Sequence, residues 1–213
     1  MRHLSVFENL LCGIDAALRT LVPPAQRISK RNTPGAELAI PALAVKEQRH
    51  VAGLMRVNHA GEVCAQALYQ GQALTAQLGN IKTQMEQAAA EEIDHLAWCE
   101  ERLHELNSQP SLLNPLWYFG SFMIGALAGL AGDRWSLGFV AETELQVSAH
   151  LQKHWQKLPI QDTKSKAILT QMYEDEMHHA DVAKEAGAAE LPFVIKKLMQ
   201  GVSKLMTHSS YHI

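Results

Sequence analysis

The chain has 213 residues, 47% of them hydrophobic and 19% charged, and its 19 Lys and Arg nearly balance its 22 Asp and Glu for a net charge of −3. That length suits one domain with a sizeable core, or at most two small ones, and the charge balance excludes the broad basic surface of a nucleic-acid-binding protein. Three cysteines, Cys12, Cys64 and Cys99, with no C-x-x-C spacing, speak against a disulfide framework or a zinc knuckle and fit a reduced, cytoplasmic setting.

The first predicted element is an amphipathic helix over residues 3–22, stopped by Pro23-Pro24. Glu8 and Asp15 interrupt it and no A-x-A site follows, so it makes a poor signal peptide. Residues 23–45 hold Pro23, Pro24, Pro34, Gly35 and Pro41 and read as an irregular surface connection. Residues 1–45 thus form an N-terminal helix and connection to which no chemistry is assigned, and residues 46–213 the main domain. A long helix is predicted over 46–78, ended by Gly79-Asn80, and another over 81–106. From Leu106 to Gly132 no charged residue occurs, and the centre of that stretch, "LWYFGSFMIGALAGLAG", is apolar and glycine-rich. Helices follow over 134–158 and 162–186, and a last one starts near Leu191 with a proline in its first turn. No segment alternates with a two-residue period, so the fold class is all-α, with four long helices at its centre.

Two of those helices carry the same pair. Glu92 and His95, in "EEIDH", and Glu176 and His179, in "DEMHH", are each E-x-x-H, which projects both side chains from one helix face. The helical period from Glu92 collects Met85, Ala88, Ala89, Leu96, Cys99 and Leu103, an inward stripe, whereas Glu91 and Asp94 fall on the solvent side. From Glu176 it collects Leu169, Met172, Tyr173, Ala180 and Ala183; Glu174 is on the polar side, and the competing pair Asp175/His178 sits at the stripe's margin. Charge on an apolar stripe is costly unless paired or metal-bound.

Each pair has an upstream acid. Glu62 precedes Glu92 by 30 residues, and Glu144, preferred over the less buried Glu142, precedes Glu176 by 32. The chain therefore repeats a helical hairpin with Glu, then Glu-x-x-His, on its inner stripe. A bundle that holds two metals needs this donor set, one Glu from each of two helices and Glu-x-x-His from each of the other two. Four carboxylates and two imidazoles suit iron or manganese, and two divalent ions neutralise the four charges. By spacing alone His150 and His154 read as surface histidines, with a role for His150 beside the cluster as the alternative. His59 reads as a hydrogen-bonded neighbour, and Tyr69, Tyr173 and Trp98 as packing residues.

The words "RVNHAGE", "EEIDHLAWCEERL", "AETELQVSAH" and "DEMHHAD" together resemble the demethoxyubiquinone hydroxylase family, in particular its bacterial branch of 2-polyprenyl-3-methyl-6-methoxy-1,4-benzoquinone monooxygenases. The resemblance covers residues 46–213. It implies a ferritin-like four-helix bundle with additional amphipathic helices and a carboxylate-bridged centre of two iron ions. It also implies hydroxylation of a polyprenylated methoxy-methyl benzoquinol with O2 and two electrons, in ubiquinone biosynthesis. Carried over by motif, Glu62 and Glu144 would be terminal ligands, Glu92 and Glu176 bridging candidates, and His95 and His179 the imidazole ligands. The family also places a histidine at His150, close to the centre. Its eukaryotic members have a tyrosine next to that histidine where this chain has Leu151, so no relay is expected there.

The charge-free segment, about 112–132, is short for a bilayer span, and Gly125 and Gly129 permit close helix packing. Lys196, Lys197 and Lys204 in the last helix would meet anionic headgroups. The expectation is a peripheral or monotopic protein on the cytoplasmic face of the cell membrane, open to other ubiquinone-pathway proteins and not to nucleic acid. Two other classes share parts of the pattern: a ferritin-like iron-handling or peroxide-scavenging protein, and a helical scaffold with a structural charge network.

Overall fold

The structure, a computed structural model, describes residues 6–22 and 27–213. Among the described residues it contains seven helices and no strand: α1 Val6–Leu21, α2 Val45–Thr75, α3 Gly79–Glu105, α4 Asn114–Leu130, α5 Asp133–Trp155, α6 Thr163–Glu185 and α7 Phe193–His212. The all-α expectation holds, and the predicted helices are present with shifts of a few residues. Residues 3–5 of the first helix and its Pro23-Pro24 stop lie outside the described residues.

The boundaries follow from local chemistry. The backbone N–H of Ala44 donates to Glu47 Oε2 at 2.9 Å to open α2, and the Asp162 side chain accepts from Ser165 N–H at 3.1 Å to cap α6. Asn107, at φ 53°, takes the left-handed turn that ends α3, with Ser108 N–H returning to Leu103 O at 2.9 Å. The expected stop at Gly79-Asn80 is displaced: α2 ends at Thr75 and Gly79 begins α3. The cause is distant in sequence, because the Asp133 carboxylate accepts the N–H groups of Gln77 and Leu78, at 3.0 and 2.8 Å, and fixes the turn.

The core is a four-helix bundle of two hairpins, α2/α3 and α5/α6. One end is filled by Met55, Leu103, Leu151, Ile168 and Met172, the other by Tyr69, Met85, Leu137, Val140 and Ala183. The levels of Glu62, Glu92, Glu144 and Glu176 fall between these two apolar plugs.

The glycine-rich segment forms α4 and packs tightly on α2. A Cβ at Gly125 would collide with the backbone of Leu68, and one at Gly71 with the backbone of Phe122 and Ala126. Gly129 approaches Thr75, whose hydroxyl donates to Ala126 O at 3.1 Å. The other side of α4 leaves Leu116, Phe119, Met123, Leu127 and Leu130 more than half exposed, and α7 does the same with Phe193, Val194, Leu198, Val202 and Leu205. No described helix is long and apolar enough to cross a membrane. On α7, Lys196 turns back to the protein, 3.3 Å from Glu142 and 3.6 Å from Glu190, and Lys197 lies over the Phe193 ring.

Candidate metal centre

Four helices each bring their inward acid to one level of the bundle. Glu62 comes from α2, Glu92 and His95 from α3, Glu144 from α5, and Glu176 and His179 from α6; all six are buried. Glu174 and His178 are exposed, as the helical period requires. Glu62, Glu92, His95 and Glu176 each present one ligand atom, and these atoms lie within 4.8 Å of one another.

The imidazoles sit between carboxylates of both hairpins. His95 Nδ1 is 2.8 Å from Glu92, 3.2 Å from Glu176 and 3.5 Å from Glu62. His179 Nδ1 is 3.3 Å from Glu92 and 3.5 Å from Glu176. Glu92 and Glu176 are therefore shared by both histidines, Glu62 stands beside His95, and one oxygen of Glu144 accepts the Tyr69 hydroxyl.

The outer nitrogens are held by acids that sequence periodicity placed elsewhere. His95 Nε2–H donates to Asp175 Oδ2 at 2.9 Å, and His179 Nε2–H to Glu91 Oε2 at 2.8 Å. In each case the acid immediately before one hairpin's inward Glu orients the other hairpin's histidine, which leaves both Nδ1 atoms facing the cluster. The signal was present in the sequence as an acid preceding each E-x-x-H, "EE" and "DE". Glu91 is only half-exposed and engages His179, and Asp94, expected at the solvent side, is buried and accepts Lys30 N–H at 2.6 Å and Arg31 Nε–H at 2.9 Å.

The electrostatics are those of an over-filled acid cluster. Burial, and then the charge of Glu92, hold the Glu62 carboxyl well above its ordinary value; burial with Glu176 and Glu92 does the same to Glu144. Burial opposes ionisation of Glu92 as well, but His95 and His179 reverse it and keep Glu92 well below the carboxylate range. Burial would lower both histidines; the surrounding carboxylates instead raise His95 well above its usual value and His179 to about 12. The cluster thus retains protons that cations would displace. Glu92 Oε1, Glu144 Oε2, Glu176 Oε2 and His179 Nδ1 are buried without a hydrogen-bond partner. Unpartnered polar atoms buried in a carboxylate–imidazole cluster fit the demands of bound metal ions.

The remaining sequence candidates divide. His59 is buried and hydrogen-bonded, 3.1 Å from Glu100 and 3.3 Å from Asn114, as expected of a neighbour. Trp98 packs against the His95 ring at 5.2 Å, and Tyr173 packs on the apolar end of the core. Tyr69 packs too, but its hydroxyl also serves Glu144. His154 is not a surface residue: it is buried, with Nδ1 2.8 Å from Asn58 Oδ1. Its partner Asn58 lies on α2, a neighbour that the pattern of α5 alone cannot place. His150 meets the His154 ring at 3.9 Å and keeps a buried Nε2 without a partner.

Fold and site together define an all-α bundle of the ferritin-like kind, with a buried carboxylate–histidine group able to hold metal ions. The chain belongs to the family described as ubiquinone biosynthesis protein COQ7, whose model matches residues 49–210. It is 66% identical to the 3-demethoxyubiquinol 3-hydroxylase of Legionella pneumophila (strain Paris) over the full length of both chains. It is 59% identical, again over the full length of both, to the enzyme of that name from Acinetobacter baumannii (strain ATCC 17978).

Proposed function

We propose that this chain is a di-iron monooxygenase that hydroxylates the ring of a polyprenylated demethoxyubiquinol with O2, a step of ubiquinone biosynthesis. The activity rests on the two full-length relatives and the family. The observation that carries the two-metal assignment is that Glu92 and Glu176 each reach the Nδ1 of both histidines. In that arrangement Glu92 and Glu176 would bridge, Glu62 and Glu144 would be terminal, and His95 and His179 would each serve one ion. Iron, once bound, would supply the O2 activation that ring hydroxylation needs and would pass on the two electrons of each turnover from an external reductant.

The chain's own residues do the rest. Asp175 and Glu91 fix the ring orientation and leave the Nδ1 lone pairs free for metal. Tyr69 holds Glu144 by hydrogen bond and keeps that carboxylate in one position. The apolar plugs above and below the cluster exclude bulk water, which strengthens every charge interaction inside. The long prenyl tail of the substrate asks for an apolar surface, and the exposed sides of α4 and α7 offer one. We assign those faces to peripheral or monotopic contact with the cytoplasmic leaflet, where other ubiquinone-pathway proteins would also be met.

The test is purification of the full chain in mild detergent, with metal analysis and demethoxyubiquinol turnover on the same sample. About two iron ions per chain and O2-dependent formation of the hydroxylated quinol are expected. Iron without turnover would turn the assignment toward iron handling or peroxide removal; a folded chain that takes up no metal would leave only a structural charge network.

A further inference from the structure

The N-terminal connection, which carries no motif, docks on the helices of the cluster. Arg27 makes a two-pronged ion pair with Glu100, Nε to Oε2 at 3.0 Å and Nη2 to Oε1 at 2.9 Å. It also donates through Nη1 to Arg19 O at the end of α1, at 2.8 Å. Lys30 N–H caps Asp94. Arg31 then forks, Nε to Asp94 Oδ2 at 2.9 Å on α3 and Nη1 to Asp175 Oδ2 at 2.8 Å on α6. Its guanidinium lies 4.7 Å from the Trp98 ring, and Trp98 packs on His95. Asp175 Oδ2 is the same oxygen that accepts from His95 Nε2, so Arg31, Asp175 and His95 form one line ending at the cluster.

The other half of the centre lacks this brace. Glu91, the acid on His179, is half-exposed, and among the described residues its other oxygen accepts only a surface amide, Gln87 Nε2, at 3.2 Å. A planar guanidinium spanning two carboxylates is a geometric clamp as well as a charge; a half-exposed acid paired with a surface amide is neither.

We propose that Arg31 is a positioning residue for the metal position served by His95, and that its clamp on Asp94 and Asp175 makes that position the tighter of the two. The inference rests on the di-metal assignment above. Removing an outer partner of a ligating histidine typically weakens metal binding about 10–100-fold, and Arg31 acts on Asp175, the outer partner itself.

The experiment is an anaerobic titration of the metal-free full chain in detergent with Fe2+ and, separately, Co2+, followed by calorimetry and by the cobalt absorption bands, with thermal unfolding as the folding check. Wild type is expected to show two unequal steps. Arg31→Gln leaves Asp175 in place, so it should weaken the tighter step by about 10-fold, the low end of that range, and leave the other within about twofold. Arg31→Lys, which keeps a charge beside Asp175 but cannot fork, should recover part of the loss. Arg27→Gln loosens the same connection without touching Asp175 and should bind both ions as wild type does. If Arg31→Gln does not fold, Arg31→Lys against wild type makes the same comparison with a smaller shift. Two unchanged steps in the Arg31 variants, or an equal loss in Arg27→Gln, would overturn the proposal. A wild-type chain that binds neither ion would instead sink the di-metal assignment, and no variant is needed to see it.

Discussion

Glu92 on α3 reaches across the bundle to His179 on α6, Oε1 to Nδ1 at 3.3 Å, while its other oxygen lies 2.8 Å from His95 on its own helix. One carboxylate thus ties the two sequence repeats together. Under the proposed di-iron assignment, Glu92→Ala should lower the iron content to one ion or fewer per chain and drop quinol hydroxylation to background, because a single loss would disturb both metal positions. Glu62→Ala, which removes an acid seen only by His95, should retain one ion. A Glu92→Ala protein with two irons and normal turnover would refute the bridging role.

The half-buried His150 and the buried His154 contribute to the pH dependence of stability. Burial, reinforced by Lys157 and Lys153, lowers His150 to about 4; burial, with His150 and Lys157 adding to it, lowers His154 to about 2. In the unfolded chain both titrate near 6.5. As pH falls below that value the unfolded state takes up protons that the native state refuses. The stabilisation is therefore whole above about pH 6.5 and drains as pH falls toward about 4 for His150 and about 2 for His154. Each group adds up to about 1.4 kcal/mol per pH unit to the slope. The protons held by the carboxylate–imidazole cluster act in the opposite direction but are common to wild type and His150→Asn/His154→Asn, so the check is the difference between the two: measured from pH 7 to pH 5, the denaturant midpoint of wild type should fall relative to that of the double variant.

Much of this was legible in the sequence because helical period is a strong signal. The stripes through Glu92, His95, Glu176 and His179 follow from 3.6-residue spacing, and those side chains are buried where the period put them. Long-range partners were not legible. Asp175 stands at the margin of its stripe, yet it reaches His95, 80 residues away. His154 looks polar on its own helix and is buried by elements the pattern cannot place. The Asp133 contact that shifts the α2–α3 turn comes from another hairpin. Periodicity reports the face a residue is on, whereas a cap or a partner depends on which helix packs there.

Arg102 is the ionic anchor at the far end of α3. It is fully buried and donates to Ser165 Oγ at 2.8 Å, Glu105 at 2.8 Å and Asp162 at 3.0 Å; Lys164 pairs with the other oxygen of Glu105. Arg102→Met fills the space but strands the buried Asp162 carboxylate, so a loss of about 3–5 kcal/mol is expected in chemical denaturation. Arg102→Met/Asp162→Asn, which removes both charges and keeps a side-chain oxygen to cap α6, should recover most of it. A single variant as stable as wild type would show that the pair contributes nothing.

Two glycines on α4 should respond to alanine with opposite signs. Gly125 faces α2, where an added Cβ would meet the backbone of Leu68, which can yield only by moving the helix; Gly120 has open space around its Cβ position. Gly120→Ala removes backbone freedom from the unfolded chain and should stabilise by about 0.5–1 kcal/mol. Gly125→Ala gains the same helix propensity but forces α4 off α2, an overpacking cost of about 1–3 kcal/mol that exceeds it. Unfolding of the two variants side by side in the same detergent isolates the packing contribution, since residue type and helix are shared. If both variants gained stability equally, α4 could not be held against α2 through Gly125, and the apolar face it presents outward would have no fixed backing.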